Sequence, residues 1–130
     1  NYFIKPDTLQ ENLFDSVGKA IVEISKQINA QAIVVFTFEG RTARIISKYR
    51  PDSKIIAISN SFGTMNNLCL RWGVTSVYSE RIDKEHIAIE DAKELILNAG
   101  LAAKGDLIIF TAGAPYSEKS RANWLRFEVI

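Results

Sequence analysis

The sequence predicts an α/β layer fold built on a mostly parallel sheet. Three observations lead there. Segments with apolar residues at helical spacing alternate along the chain with short apolar runs, the order expected when helices are layered on a parallel sheet. The runs Ala32–Thr37, Lys54–Ser59 and Asp106–Thr111 are rich in Ile and Val and almost continuously apolar, as strands buried on both faces are. The final segment, Trp124–Ile130, alternates instead. Leu125, Phe127 and Val129 are set against Arg126 and Glu128, the pattern of an edge strand with one face less buried.

The first helix is expected from about Leu9 to Ile28, with Leu13, Val17, Ala20, Ile21, Ile24 and Ile28 inward and Asp7 or Thr8 as its cap. The first strand follows at Ala32–Thr37. A second helix is expected from about Gly40 to Tyr49, stopping before Arg50-Pro51 because the residue ahead of a proline avoids helical backbone. The second strand is Lys54–Ser59. Thr64 to Trp72 reads as a short helix ended by Gly73, and Val74–Tyr78 as a third, weaker strand. Ile82–Ala99 is amphipathic, with Ile87, Ala88, Ala92, Leu95 and Ile96 inward, and Gly100 stops it. The fourth strand is Asp106–Thr111.

The 130 residues make a single domain, 1–130. Asn1 stands where a Met would open a natural chain, which fits an excised segment. The net charge of +1 raises no field strong enough to call for nucleic acid or an anionic membrane. No apolar run has the length of a membrane span, and no signal peptide is visible. Cys69 is the only cysteine, so no intrachain disulfide forms and a reducing, cytoplasmic setting is expected. Cys69 itself reads as a small buried apolar residue of a helix.

Ligands of open α/β sheets bind beyond the carboxyl ends of the strands. Those ends are Thr37, Ser59, Tyr78-Ser79 and Thr111, a set of hydroxyls suited to phosphate. The best candidate is Thr37-Phe38-Glu39-Gly40-Arg41-Thr42, which joins a buried strand to a helix start. Free N–H groups there attract anions, Gly40 admits close backbone approach, and Arg41 adds a charge-assisted contact. The same pattern also fits a plain capping turn with a solvated arginine, and spacing does not separate the two.

Catalytic chemistry is poorly supplied. His86 is the only histidine and sits in a charged stretch, as a solvated side chain would. No Cys/His cluster or Walker-type loop is present. Asp83, Glu85, Glu90, Asp91 and Glu94 read as a solvated helix face. A phosphoacceptor receiver domain needs carboxylates clustered at strand ends, and only Glu39 is placed there. Lys48-Tyr49-Arg50 reads as a solvated helix end, Gly113–Ser117 as a loop, and Trp72 and Trp124 as packing residues.

Taken in order, Ala32–Thr37, Gly40-Arg41-Thr42-Ala43-Arg44 and Ser47–Pro51 resemble the C-terminal domain of pyruvate kinase. So do Ile55–Ile58, then Leu68, Leu70 and Trp72-Gly73-Val74, then Lys104-Gly105-Asp106 and Asn123. The resemblance implies a three-layer α/β/α domain with a five-stranded sheet, the last strand antiparallel. It implies a parent enzyme that transfers phosphate from phosphoenolpyruvate to ADP in glycolysis, using magnesium and potassium held outside this segment, so no cofactor is expected here. It further implies that residues 1–8 are a lead-in linker, and that the domain packs on the parent's own catalytic barrel, contributes to a tetramer contact and carries a sugar phosphate effector site. Thr37, Gly40, Arg41 and Thr42 match the phosphate-cradling loop. Two departures stand out. Glu39 occupies a position where sugar-bisphosphate binders commonly have serine, and a carboxylate there opposes phosphate. The second effector loop, Ser117–Asn123, lacks the usual glycines, although Lys119 and Arg121 can meet an anion. A stand-alone domain of the same fold that binds a small phosphorylated ligand is the alternative, and a small phosphotransfer or hydrolytic enzyme is a third reading.

Overall fold

The computed structural model describes residues 6–37, 39–80, 89–112 and 124–130, with side chains from residue 12 onward. The elements are α1 (Pro6–Ile28), β1 (Ala32–Phe36), α2 (Arg41–Lys48), β2 (Lys54–Ser59), α3 (Phe62–Leu68), β3 (Val74–Tyr78), α4 (Ile89–Asn98), β4 (Leu107–Ala112) and β5 (Trp124–Val129). They form one five-stranded sheet in the order β3-β2-β1-β4-β5. β1 pairs parallel with both β2 and β4, β2 pairs parallel with β3, and β5 closes the edge antiparallel to β4.

Burial explains why the central strands read as they do. Every residue of β1 is buried, because the strand has neighbours on both edges and helices on both faces. Ile33 and Val35 pack with Ile55, Ala57 and Ile109 under α1, α2 and Leu68 of α3. Ala32, Val34 and Phe36 pack with Ile56, Ile58, Ile108 and Phe110 under Ala92 and Ile96 of α4. Each fully buried Val, Ile or Phe contributes about 1.5–3 kcal/mol relative to exposure, so two apolar layers on one strand form a strong centre. α4 is also tied to the edge strand: Lys93 bridges Glu128 at 3.0 Å and Glu90 at 3.2 Å.

The structure moves several expected boundaries. α1 begins at Pro6, so Asp7 and Thr8 lie inside its first turn rather than at its cap. Proline suits a first helical position because it lacks an N–H that would be unpaired there anyway. On α1 the expected Val17, Ile21, Ile24 and Ile28 do pack on the core, but the face is wider on one side and narrower on the other than expected. Phe14, Gly18, Ile21, Val22 and Ser25 are buried, while Leu13 is 56% exposed and Ala20 faces out. Gly18 lies in the seam with α2, because Ile45 fills the space a Cβ would take and a Cβ there would lie 3.2 Å from Ile45 Cβ.

α3 starts at Phe62 and ends at Leu68, earlier than expected at both ends. Ser61 caps it by accepting from the Thr64 N–H at 3.2 Å. Cys69 is therefore a C-cap residue and exposed, not a core residue, and its thiol faces the Asn66 carbonyl at 2.8 Å. Trp72 lies in the turn beyond. The expected segment from Ile82 is described only from Ile89, with Ala92 and Ile96 buried and Leu95 half-buried. Ile87, Ala88, His86, Asp83 and Glu85 lie outside the described residues.

Candidate functional site

The loop between β1 and α2 is built by a short clasp. The Gly40 N–H donates to the Thr37 hydroxyl at 2.7 Å, and both residues are buried. Gly40 has φ 81, the left-handed region that favours glycine, and a Cβ there would lie 3.1 Å from Leu68. α2 then starts with no side-chain cap and no acidic residue in its first turn. Its first amide groups keep their donors for water or a ligand, and the helix dipole adds positive potential at that point. Thr42 is buried one residue into the helix.

The two charged members of the loop turn toward each other. Arg41 lies 3.8 Å from the Glu39 carboxylate and 5.0 Å from the centre of the Phe14 ring. Arg44 donates to the Glu39 carbonyl at 3.0 Å. The Arg41–Glu39 pair is largely exposed, the kind of contact worth at most about 1 kcal/mol, so an incoming anion can displace it cheaply.

Of the expected site residues, the structure brings Thr37, Glu39, Gly40, Arg41 and Thr42 together at the carboxyl end of β1. Phe38, Lys119 and Arg121 lie outside the described residues, as does the Gly113–Ser117 loop. The other strand-end hydroxyls serve the fold. Ser59 accepts from the Ser61 N–H at 3.1 Å, and Thr111 donates to the Trp124 carbonyl at 2.8 Å, pinning β5 to β4. Tyr78 stacks on Phe62 with ring centres 4.5 Å apart.

The Lys48–Arg50 stretch is more than a solvated helix end. Asp15 of α1 accepts from Lys48 and from the Tyr49 hydroxyl, the latter at 2.6 Å. These hydrogen bonds, from Lys48 first and then Tyr49, hold the Asp15 carboxyl below its usual range. The same contact raises both Lys48 and Tyr49 above theirs. Arg50 lies over the Trp72 ring at 5.5 Å. No signal at the level of spacing pairs residues so far apart along the chain.

Among the described residues no three His, Cys, Asp or Glu side chains are grouped to hold a metal ion. No helix is long and apolar enough to cross a membrane, among the described residues.

The described residues thus define a small three-layer α/β domain with an uncapped helix start behind its central strand. The chain belongs to the family described as pyruvate kinase, alpha/beta domain, whose pattern matches residues 15–127. A pyruvate kinase of Staphylococcus epidermidis is 34% identical over 122 residues, which is 94% of this chain and 21% of that protein. One from Lactobacillus delbrueckii subsp. bulgaricus is 29% identical over 92% of this chain and 20% of its own length. The chain therefore spans about a fifth of the curated relatives it matches. The solved structure of Cryptosporidium parvum pyruvate kinase in complex with ADP superposes with a TM-score of 0.77 at 28% identity, covering 89% of this chain and 23% of that one.

Proposed function

We propose that this chain is the regulatory and subunit-contact domain of a pyruvate kinase and turns over no substrate by itself. The observation that carries this reading is coverage: the family match runs across residues 15–127, yet the chain answers to only 21% of a relative's length. The parent reaction, phosphoenolpyruvate with ADP to pyruvate and ATP, is assigned to a barrel encoded elsewhere in the parent. Magnesium and potassium are assigned to that barrel too. The parent enzyme is placed in the cytoplasm, in keeping with a single cysteine. The domain's partners are that barrel and further copies of the same chain, in a tetramer.

Within the domain, Thr37–Thr42 is the anion site of this reading. The uncapped start of α2 supplies amide donors, Arg41 supplies charge, and Thr37 and Thr42 supply hydroxyls. Phe38, Lys119 and Arg121 complete the proposed set. Glu39 selects the ligand. A like charge about 4 Å from a phosphate costs on the order of 4 kcal/mol near a protein surface, more than the helix dipole returns. A sugar monophosphate, whose hydroxyls can donate to Glu39, is therefore favoured over a bisphosphate. Calorimetry on wild type and Glu39→Ser checks this. The variant is expected to gain bisphosphate affinity, and unchanged affinity removes Glu39 from the role. If neither protein binds a sugar phosphate, the loop is a capping turn. A coupled assay for pyruvate formation on the isolated chain is expected to read background, and turnover that survives purification refutes the non-catalytic assignment.

A further inference from the structure

Five cationic side chains converge beside α2. A groove of about 610 Å³ runs between that helix and the turn after α3, lined by Arg41, Arg44, Lys48, Arg50, Arg71 and Trp72 with no carboxylate in its wall. The whole chain has a net charge of only +1, so this is a local concentration rather than the surface of a basic protein. A concave surface lined by one sign of charge focuses its field and gathers counter-ions.

Two carboxylates flank the groove. Glu39 lies 3.8 Å from Arg41, and Asp15 holds Lys48. Neither neutralises the other three cations. Arg44 meets only the Glu39 carbonyl, Arg50 lies over Trp72, and Arg44, Arg50 and Arg71 have no ion-pair partner among the described residues. The two walls are joined by a partly buried contact, because the Ser47 hydroxyl donates to the Trp72 carbonyl at 2.6 Å. The cations are thus held around the groove by a bond between its sides.

Spacing sets the shape of the complementary ligand. Arg41, Arg44 and Lys48 fall at i, i+3 and i+7 on one helix face, so at 1.5 Å per residue they form a row about 10 Å long. Such a row suits an extended anion better than a compact one. We propose that this groove binds a linear oligophosphate, free or as the tail of a larger molecule, gripped by Arg44 from α2 and Arg71 from the facing turn. Arginine matches phosphate oxygens with two parallel donors, which favours this ligand class over a simple carboxylate. The groove shares Arg41 with the Thr37–Thr42 loop and touches it again where Arg44 donates to the Glu39 carbonyl, but the proposed grip, Arg44 and Arg71, lies outside that loop and does not depend on the effector reading above.

The test is calorimetry on the purified chain at about 0.15 M salt with orthophosphate, pyrophosphate, tripolyphosphate and ATP as probes. Quenching of the half-exposed Trp72 gives a second readout. Affinity is expected to climb with phosphate number. Arg44→Gln and Arg71→Gln, both surface changes whose folding is checked by circular dichroism, are each expected to weaken tripolyphosphate about tenfold. ATP binding as tightly as tripolyphosphate identifies the tail of a larger molecule as the source. Weaker ATP binding identifies the free oligophosphate. Equal affinity for orthophosphate and tripolyphosphate overturns the proposal. So does unchanged affinity in both variants, or no binding at several millimolar.

Discussion

Ser76 carries a hydroxyl that is buried without a hydrogen-bond partner, the one such side-chain atom among the described residues. It sits on β3 opposite Ala57, facing the layer that contains Val74. An unsatisfied buried hydroxyl costs about 1–3 kcal/mol, and alanine removes it without leaving a large void. Ser76→Ala is expected to stabilise the domain by about 1 kcal/mol, read as a raised midpoint in urea unfolding; a lowered midpoint would show that the hydroxyl has a partner in solution. At this scale the sequence was readable where a residue's own backbone needs decide. Gly40 at a strand-to-helix joint could be singled out because its φ of 81 suits glycine alone. Cys69 could not, since its exposure depends on α3 stopping at Leu68 and leaving Cys69 as the C-cap.

Two contacts between α1 and α2 carry predictions about elements. Gly18 admits Ile45 into the helix–helix seam. In an isolated helix, alanine would improve on glycine by about 1 kcal/mol. Here Gly18→Ala is expected to destabilise the fold by about 1–3 kcal/mol because the seam must open. Adding Ile45→Ala should recover part of that loss, and a double-mutant cycle that shows simple additivity would refute the steric account. The second contact is Asp15 with Lys48 and Tyr49. Asp15 titrates below its usual 3.8 in the folded chain, so its contribution to stability is present above that value and is lost as pH falls through the folded value. Urea unfolding of wild type and Asp15→Asn should differ at neutral pH and converge in acid; a gap that stays constant down to low pH would contradict this. Helical periodicity made α1 visible and placed Val17, Ile21, Ile24 and Ile28 inward, but it wrongly added Leu13 and Ala20 and missed Gly18 and Val22. Period reports that one face is apolar, whereas the size of Gly18 decides how closely α2 approaches.

At the scale of the whole molecule, β5 is an edge strand with an uncovered apolar face. Leu125, Phe127 and Val129 are 37%, 48% and 61% exposed on the same side. On the other side Trp124 packs below α4 and Glu128 is bound to Lys93, while Arg126 between them is exposed. Open edges invite pairing, and the proposed subunit contact gives this face its use. Phe127→Asp in the full-length parent is expected to shift the assembly toward smaller species by light scattering, with folding retained. An unchanged mass would place the contact elsewhere.

The sequence by itself determined the fold class, the presence of β1, β2 and β4, the alternating final strand and the strand-to-helix loop at Thr37–Thr42. These are local properties. A strand buried on both faces must be apolar throughout, and a chain entering a helix from a buried strand needs a permissive residue such as Gly40. The tertiary structure alone decided the strand order, the limits of the buried face of α1 and the meeting of Arg44, Arg50 and Arg71 around one groove. Those depend on which distant segments pack together, and a one-dimensional pattern records the period of a surface without naming the surface it will meet.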